Sequence, residues 1–424
     1  MRSILDKFFL RSNNLDYISQ NIKDLTKKIP SKKIFDAINS YSADSEIRYV
    51  GGCIRKIIKR EKVDDIDLST TLEPKKVCEV LKKNNIKYFE SGIEHGTITA
   101  IEDGYKFEIT TLRKDIFTDG RHAKVEFSSD WKADASRRDF TINSIYADID
   151  GNLFDPFNGK KDLENGIVSF IGDASQRIQE DYLRILRYFR FFLDYSKQPH
   201  NLDIIRALKI NIGGVSRLSK ERLLDELKKI ITIARLEKLL EDKLSLELIL
   251  IIFPELKKIK IFSKLNRDQK DLLKDNDFIF LVSLLIIDDT DNTDYFLYKY
   301  KISKKDQKRI KVIYNFYKEK KNSKTFTKKN MDRIFYYHGK QATIDILNYR
   351  MIKSKKIDNS LKELFISYKN SEVPIMPITG DLLIKKYDIP VGKNLGDKLR
   401  LIEKEWVSNN FKISEKQIED IIKN

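Results

Sequence analysis

The chain has 424 residues, of which 41% are hydrophobic and 11% aromatic, so a buried core is expected and global disorder is excluded. Its formal net charge of +17 favours an anionic partner, with nucleic acid the first candidate, although a lysine-rich surface could carry the same excess. Two cysteines, Cys53 and Cys78, are too few for a disulfide framework, which predicts a cytoplasmic protein with no disulfide-linked partner. No apolar run approaches the roughly 18 residues of a membrane span, so no membrane association is expected.

Residues 1–30 show the spacing of Leu and Ile that is typical of a helix. From about residue 45 to 170 the sequence instead contains short β-like runs. Asp103-Gly104 lies between two such runs and predicts a hairpin turn. Helical patterns cover 53–61 and 74–84, so an α/β or α+β head is expected. The predicted strands are Ile47–Val50, Asp65–Ser69, Thr97–Ile101, Tyr105–Leu112, Val125–Ser128 and Ser144–Ile149.

After Gly172 the chain reads as successive amphipathic helices with few Pro and Gly residues. Lys318–Asn330 is a basic, weakly patterned segment that predicts a linker or an RNA-contacting loop. The predicted domains are an N-terminal helical segment (1–30), a head (31–173), and three helical parts (174–260, 261–372 and 373–424).

Gly51-Gly52 opens a predicted helix that contains Arg55, and Asp65-Ile66-Asp67 follows on a predicted strand. Residues i and i+2 of a strand point to the same face, so both carboxylates can converge on one Mg²⁺ ion. Paired glycines let backbone N–H groups approach a phosphate closely. The order of these features predicts an enzyme that handles a nucleoside triphosphate, whereas Asp-x-Asp alone is more often a solvated surface strand.

Glu108 alternates with apolar neighbours on a predicted strand. If that strand pairs beside Asp65 and Asp67, Glu108 could add a third carboxylate; an ordinary polar strand face is the alternative. Further along, the adjacent Arg137 and Arg138 have the chemistry to bind triphosphate oxygens, and Asp139 and Asn143 could hydrogen-bond ribose hydroxyls. An N-capping Asp with flanking surface charge is the alternative there.

The segment from Glu180 to Arg190 predicts a helix on which Asp181, Arg184 and Arg187 share one face. A carboxylate beside a guanidinium can read the hydrogen-bonding edge of a base without a template strand. A salt-bridged solvent face is the alternative interpretation.

These blocks, in this order, resemble the class II tRNA nucleotidyltransferases, the CCA-adding enzymes of the tRNA nucleotidyltransferase/poly(A) polymerase family. Residues 376–383 and 395–400 also resemble the tail of that family. The motifs that carry the resemblance are Gly51-Gly52-x-Ile54-Arg55, Asp65-x-Asp67, Glu108–Arg113, Arg137–Asn143, Asp155–Gly159 and Glu180–Phe191.

The resemblance implies a polymerase-β-like nucleotidyltransferase head followed by an all-helical neck, body and tail. It implies addition of C, C and A to the 3′ end of tRNA from CTP and ATP, with release of pyrophosphate. The catalytic carboxylates would be Asp65 and Asp67, which hold Mg²⁺, with Glu108 a less certain third.

The resemblance also assigns nucleotide-binding residues. Gly52 and Arg55 would contact the triphosphate, and Gly51 and Arg138 would serve nucleotide binding. Asp139 and Asn143 would lie near the sugar. Asp181 and Arg184 would select C or A, supported by Arg187 and Arg190. Lysines of the helical parts could bind tRNA phosphates.

Lys56 follows Arg55, where the family usually has Asp, which puts one supporting contact in doubt and leaves the metal site intact. Poly(A) polymerase, a dedicated A-adding enzyme and a non-catalytic RNA-binding protein remain alternatives. Against the first, Thr110–Arg113 followed by Asp119–His122 resembles the flexible loop of CCA-adding enzymes. Only four His residues occur, and they are scattered, so an additional metal phosphohydrolase activity is not expected.

Overall fold

The computed structural model describes residues 17–119, 122–319 and 326–423, and within 115–125 only the backbone. The chain divides into two compact units, residues 1–226 and 227–424. The predicted five-domain division is finer than these two units and stays a prediction. Part of the predicted N-terminal helix, the Gly120-Arg121 loop tip and the centre of the basic segment at 318–330 lie outside the described residues, whereas residues 17–28 are helical.

The first unit is built on a seven-stranded mixed sheet with strand order β3-β4-β5-β2-β1-β8-β9. Neighbouring strands pair antiparallel except β2 and β5, which run parallel. The separate pair β6–β7 forms a two-stranded sheet. The strands are β1 (Ile47–Val50), β2 (Ile66–Thr70), β3 (Lys87–Gly92), β4 (Thr97–Glu102), β5 (Tyr105–Thr111), β6 (Arg113–Asp119), β7 (His122–Phe127), β8 (Tyr146–Ala147) and β9 (Leu153–Phe154).

Helices pack on this sheet and continue beyond it within the first unit. Buried aliphatic and aromatic side chains of the helices and of the central strands form one core, with Phe35, Ile54, Leu68 and Phe107 among its members. The helices are α1 (Ser31–Asn39), α2 (Gly52–Lys59), α3 (Pro74–Lys83), α4 (Trp131–Ser136), α5 (Gly159–Asn165), α6 (Ala174–Glu180), α7 (Leu183–Tyr195), α8 (Leu202–Asn211) and α9 (Lys220–Ile230), the last of which runs into the second unit.

In the described residues of the second unit, the regular elements are all helices. Its most apolar helix, Phe278–Ile286, is buried from Ile279 onward, as expected for a core element. No helix in the described ranges combines the length and the apolarity needed to cross a membrane. The helices are α10 (Ile233–Glu241), α11 (Lys243–Ile252), α12 (Arg267–Leu273), α13 (Phe278–Ile286), α14 (Asn292–Tyr300), α15 (Lys304–Glu319), α16 (Lys328–Lys353), α17 (Asn359–Asn370), α18 (Gly380–Tyr387), α19 (Lys393–Ser408) and α20 (Glu415–Lys423).

The α+β fold class is confirmed, with a mixed sheet followed by helices. The Asp103-Gly104 hairpin is also confirmed, since both residues have positive φ and Glu102 pairs with Tyr105. Strands β3, β6 and β9 were not predicted. For β3 the reason is that the strand is largely exposed and lacks an apolar face. Cys53 and Cys78 are buried free thiols.

Candidate active site

The glycine pair and the second aspartate of Asp-x-Asp lie against each other. Gly51 has φ +70 and precedes α2, which begins at Gly52. A Cβ added to Gly51 would lie 3.8 Å from Asp67 Oδ2, and one added to Gly52 would lie 3.7 Å from the same oxygen. The positive φ explains why glycine is needed at Gly51, and the absence of side chains leaves room beside the carboxylate.

The strand that carries Glu108 pairs directly with the strand that carries Asp67. In the parallel β2–β5 ladder, Asp67 and Glu108 are register partners. Burial first, and then the nearby Glu108 carboxylate, raise the pKa of Asp67 above its ordinary value. A bound cation would offset the burial and the like charge that disfavour the ionised form of Asp67, so the donor chemistry fits a metal ion.

Asp65 immediately precedes β2 and is exposed, whereas Asp67 is partly buried within the strand. Its charge also contributes to raising the pKa of Asp67, after burial and Glu108. In the described part of the chain, no three His, Cys, Asp or Glu side chains form a ready metal cluster. The predicted ligand set of Asp65, Asp67 and Glu108 therefore stays a prediction.

Arg138 is fixed by a buried carboxylate that the sequence did not single out. Asp134 in α4 is fully buried and forms ion pairs with Arg137 at 2.7 Å and with Arg138 at 3.1 Å. Burial alone would raise the pKa of Asp134, but the two guanidinium groups and the Tyr146 hydroxyl lower it to about 2. Arg138 Nη2 also donates to Ser69 Oγ on β2 at 3.2 Å, which holds Arg138 beside the Asp67 strand.

Asp139 and Asn143 form the middle of a hydrogen-bonded chain that runs from α2 to α7. Arg55 donates to Asn143 Oδ1, and Asn143 Nδ2 donates to Asp139 Oδ1 at 2.6 Å. Arg187 donates to Asp139 Oδ2 at 2.7 Å. Burial would raise the pKa of Asp139, but Arg187 and the Asn143 amide lower it to about 2. The hydrogen bonds therefore connect α2, which begins at the second glycine of the pair, to α7.

The ring of Phe191 is a shared cation–π partner of three arginines, two of which, Arg55 and Arg187, belong to this series of hydrogen bonds. The guanidinium carbons of Arg55, Arg187 and Arg190 lie 4.9, 5.5 and 4.3 Å from its ring centroid. Phe191 is 2% exposed. Cation–π contacts of this kind restrict the orientation of the three guanidinium groups.

The predicted base-reading residues do not share one helix. Asp181 has extended backbone in the link between α6 and α7, so its predicted helical position is wrong, whereas Arg184 and Arg187 lie in α7. Within this link, the Asp181 carboxylate accepts a hydrogen bond from the Leu183 N–H group at 3.1 Å. The Asp181 carbonyl still accepts a hydrogen bond from Arg184 N–H at 3.0 Å, so the two residues stay adjacent although Asp181 lies outside the helix.

Each predicted base-reading side chain has an ionic partner that the sequence analysis missed. Asp181 Oδ2 accepts from Arg222 at 2.7 Å, and Arg184 donates to Glu180 at 2.6 Å. Arg190 pairs with Glu226, whose side chain is 2% exposed. Arg222 and Glu226 lie in α9, and their four-residue spacing on a helix was the available signal.

Comparison of the sequence with known protein families gives two matches along the chain. Residues 47–169 match the model of the Poly A polymerase head domain, and residues 273–422 match a model of tRNA nucleotidyltransferase domain 2. The human mitochondrial CCA tRNA nucleotidyltransferase 1 is 35% identical over 393 residues, which cover 89% of this chain and 86% of that protein. The chain belongs to the CCA-adding tRNA nucleotidyltransferases.

Other members span nearly the whole chain. The CCA-adding enzyme of Ligilactobacillus salivarius is 29% identical over 414 residues, which are 95% of this chain and 96% of that enzyme. Among solved structures, the Bacillus stearothermophilus CCA-adding enzyme in complex with CTP aligns with a TM-score of 0.68 at 21% identity. That alignment covers 93% of this chain and 97% of the solved chain, and it confirms the CCA-adding fold.

Proposed function

We propose that the chain adds C, C and A to the 3′ end of tRNA from CTP and ATP and releases pyrophosphate. The observation that carries this proposal is the position of Asp67 between the glycine pair and Glu108, in a chain of the CCA-adding family. One solved relative is the Thermotoga maritima CCA-adding enzyme complexed with tRNA-CCA, and others are complexed with ATP or CTP.

The proposed metal ligands are Asp65 and Asp67, with Glu108 as a third carboxylate and Mg²⁺ as the ion. When bound, the ion would supply charge stabilisation for the attacking and leaving oxygens of nucleotidyl transfer. The raised pKa of Asp67 fits this role, because a bound cation would offset the repulsion from Glu108.

The triphosphate is proposed to lie over the start of α2. The first backbone N–H groups of a helix have no partner within it, and its N-terminal end favours negative charge, so Gly51 and Gly52 at the start of α2 suit an anion. Arg138 supplies a guanidinium beside Asp67, since a Cβ on Gly51 would lie 3.9 Å from Arg138 Nη1. Arg55 is held through Asn143 and Asp139, which we propose lie near the sugar.

Asp181 and Arg184 are proposed to select the base. Cytosine and adenine each present an amino donor next to a ring-nitrogen acceptor, whereas uracil and guanine present the reverse order of groups. A carboxylate that accepts and a guanidinium that donates therefore match C and A and reject U and G. Arg187 and Arg190 hold this arrangement through Asp139 and Glu226.

The net charge of +17 is proposed to serve binding of the tRNA acceptor end, with recognition of shape and phosphates more than of sequence. We propose a cytoplasmic location. Lys56, which stands where the family usually has Asp, forms an ion pair with Asp64 at 3.1 Å, so the substituted residue has a local role beside the start of β2.

A nucleotide-addition assay tests the proposal. The purified protein is given tRNA ending before the first C, after C and after CC, with each NTP alone and with CTP plus ATP, and the products are sized at single-nucleotide resolution. Growth that stops after CCA and uses only CTP and ATP is the expected result. Long ATP-dependent tails would instead establish a poly(A) polymerase, and growth only from the CC end would establish an A-adding enzyme. No addition to any substrate would favour the RNA-binding alternative.

A further inference from the structure

The seven-stranded sheet has one face under helices and one face that carries the proposed catalytic carboxylates. Ile98, Phe107 and Ile109 belong to the buried core that the strands share with the helices, and each is at most 1% exposed. Side chains alternate between the two faces along a strand. Glu108, which stands between Phe107 and Ile109, therefore projects from the opposite face, where it is exposed.

A single register row connects the carboxylates to an aromatic ring at the edge of the sheet. Asp67 pairs with Glu108 on β5. Glu108 in turn pairs with Thr99 on β4, and Thr99 pairs with Phe89 on β3. Register partners on neighbouring strands project to the same face. Because β3 is the edge strand and strands lie about 4.8 Å apart, Phe89 is roughly 10 Å from Glu108.

The neighbours of Phe89 along β3 show that its ring faces away from the core. Tyr88 is partly buried against the core. The Glu90 carboxylate, after burial, contributes to raising the pKa of Cys78, which lies in α3 on the covered face. Phe89 itself is 61% exposed. A large apolar ring therefore stands in solvent on the same face as the proposed metal ligands.

Two lysines occupy the adjacent row of this face. Lys106 and Lys87 both pair in register with Ile101, one from each side. Both lysines are exposed, and neither forms an ion pair with a residue that the structure describes. An exposed aromatic ring beside uncompensated positive charge is the combination that binds single-stranded nucleic acid.

The proposed position of the incoming nucleotide leaves this side of the carboxylates open. Gly51 and Gly52 follow β1, and the strand order places β1 and β5 on opposite sides of β2. In nucleotidyl transfer the attacking and leaving oxygens are roughly in line across the α-phosphorus. If the triphosphate lies at the end of β1, the attacking 3′-hydroxyl must approach from the side of β5, β4 and β3.

We propose that the unpaired 3′ end of the acceptor RNA crosses this open face, with one of its bases stacked on Phe89 and its phosphates near Lys87 and Lys106. This inference rests on the proposed nucleotide addition and extends it to the second substrate. Stacking on an aromatic ring tolerates any base. The same ring can therefore serve an acceptor whose last nucleotide changes with each addition.

Fluorescence of 2-aminopurine tests the stacking directly, because the emission of this base falls when it stacks. RNA minihelices carry it at one of the last three unpaired positions and are mixed with protein in the absence of nucleotides. Wild type is expected to quench at one position. Phe89→Ala should lose that quenching, and Phe89→Tyr, which retains a ring, should keep it.

The matched control is Tyr41→Ala, which removes a ring that is 46% exposed in the segment between α1 and β1, outside the strands of the sheet. It should quench as wild type does. Circular dichroism checks the folding of each variant. If Phe89→Ala fails to fold, Phe89→Leu, which keeps an apolar side chain without a ring, decides.

Steady-state addition to tRNA ending in CC supplies the second measurement. Phe89→Ala should raise KM for tRNA about tenfold, because one stacked base is lost, and should leave KM for ATP near the wild-type value. Equal quenching and equal KM for tRNA in Phe89→Ala and Tyr41→Ala would overturn the proposal. A rise in KM for ATP alone would place the ring on the incoming nucleotide and would also overturn it. Absence of addition by wild type would contradict the proposed function, whereas the quenching measurement would still decide this inference.

Discussion

Asp67 is the residue at which function and stability oppose each other most directly. Its carboxylate is partly buried, faces Glu108 across the parallel β2–β5 ladder, and has a raised pKa because of burial and that neighbour. A carboxyl group whose pKa is raised by folding makes the protein less stable as pH rises through the interval between its unfolded and folded values. The ionised group therefore reduces stability at neutral pH, where a metal site requires it.

Asp67→Asn is expected to abolish nucleotide addition, to leave tRNA binding nearly intact, and to raise the free energy of unfolding at neutral pH by about 1 kcal/mol. The stability gain should shrink as pH falls toward the ordinary carboxyl value of 3.8. Thermal unfolding at several pH values, with the addition assay, measures both effects.

Asp64→Asn is the matched control for that experiment. Asp64 is 57% exposed on its side chain and pairs with Lys56 at 3.1 Å, and its hydrogen bond with Lys56 lowers its pKa. Its substitution should leave addition near the wild-type rate and should not stabilise the fold at neutral pH. Retained addition by Asp67→Asn would contradict the proposed metal site.

The proposed role of Arg184 in base selection can be tested by substitution of this single residue. Arg184→Ala should lower kcat/KM for CTP and ATP by roughly ten- to a hundredfold and should reduce discrimination against UTP and GTP, because charge-assisted hydrogen bonds to the base are lost. Steady-state kinetics with each NTP measures this.

Two further variants separate base reading from structural support. Arg206→Ala, in a side chain that is 74% exposed, should leave NTP selectivity unchanged. Arg184→Lys retains the charge but lacks the planar fork and should remain impaired. Unchanged selectivity in Arg184→Ala would argue that this residue only supports Glu180.

At the scale of secondary-structure elements, the link between α6 and α7 positions the Asp181 side chain. Tyr182 is packed against the turn over Ile212–Arg217, where a Cβ added to Gly214 would lie 2.0 Å from the Tyr182 ring. The same turn offers an internal control, since a Cβ added to Gly213 would meet nothing within 4 Å. Glycine is therefore required at one of two adjacent positions because of a single aromatic neighbour.

Gly214→Ala should displace Tyr182, raise KM for both nucleotides, and destabilise the fold by roughly 1–3 kcal/mol through overpacking. Gly213→Ala should be close to neutral in both measurements. Kinetics and chemical denaturation of the pair provide the comparison. If the two variants behave alike, the packing of Tyr182 does not position the link.

At the scale of the whole molecule, the excess of 81 basic over 64 acidic residues predicts strongly salt-dependent binding of tRNA. The logarithm of the association constant should fall linearly with the logarithm of the salt concentration. If about six phosphates are neutralised, affinity should fall by about 10³-fold between roughly 50 and 200 mM salt. Filter binding across that range measures the slope, and a slope near zero would show that the basic excess only solvates the surface.

By itself, the sequence determined the succession of an α+β head and a helical remainder, and the family to which the chain belongs. Alternation of apolar residues located β1, β2, β4 and β5, because strands with one buried face leave a period of two in the sequence. The glycine pair and Asp-x-Asp were recognisable because each is a run of two or three residues, at the start of α2 and of β2, so each pattern is local.

Only the tertiary structure decided which groups hold the site together. The pairing of Asp67 with Glu108 depends on the register of two parallel strands that are far apart in sequence. The ion pairs Arg187–Asp139 and Arg222–Asp181 join residues 48 and 41 positions apart, so they depend on how α7 and α9 pack against the segments that carry the two aspartates. A single sequence records the presence of these charges but not their separation, because long-range contacts leave no periodic pattern along the chain.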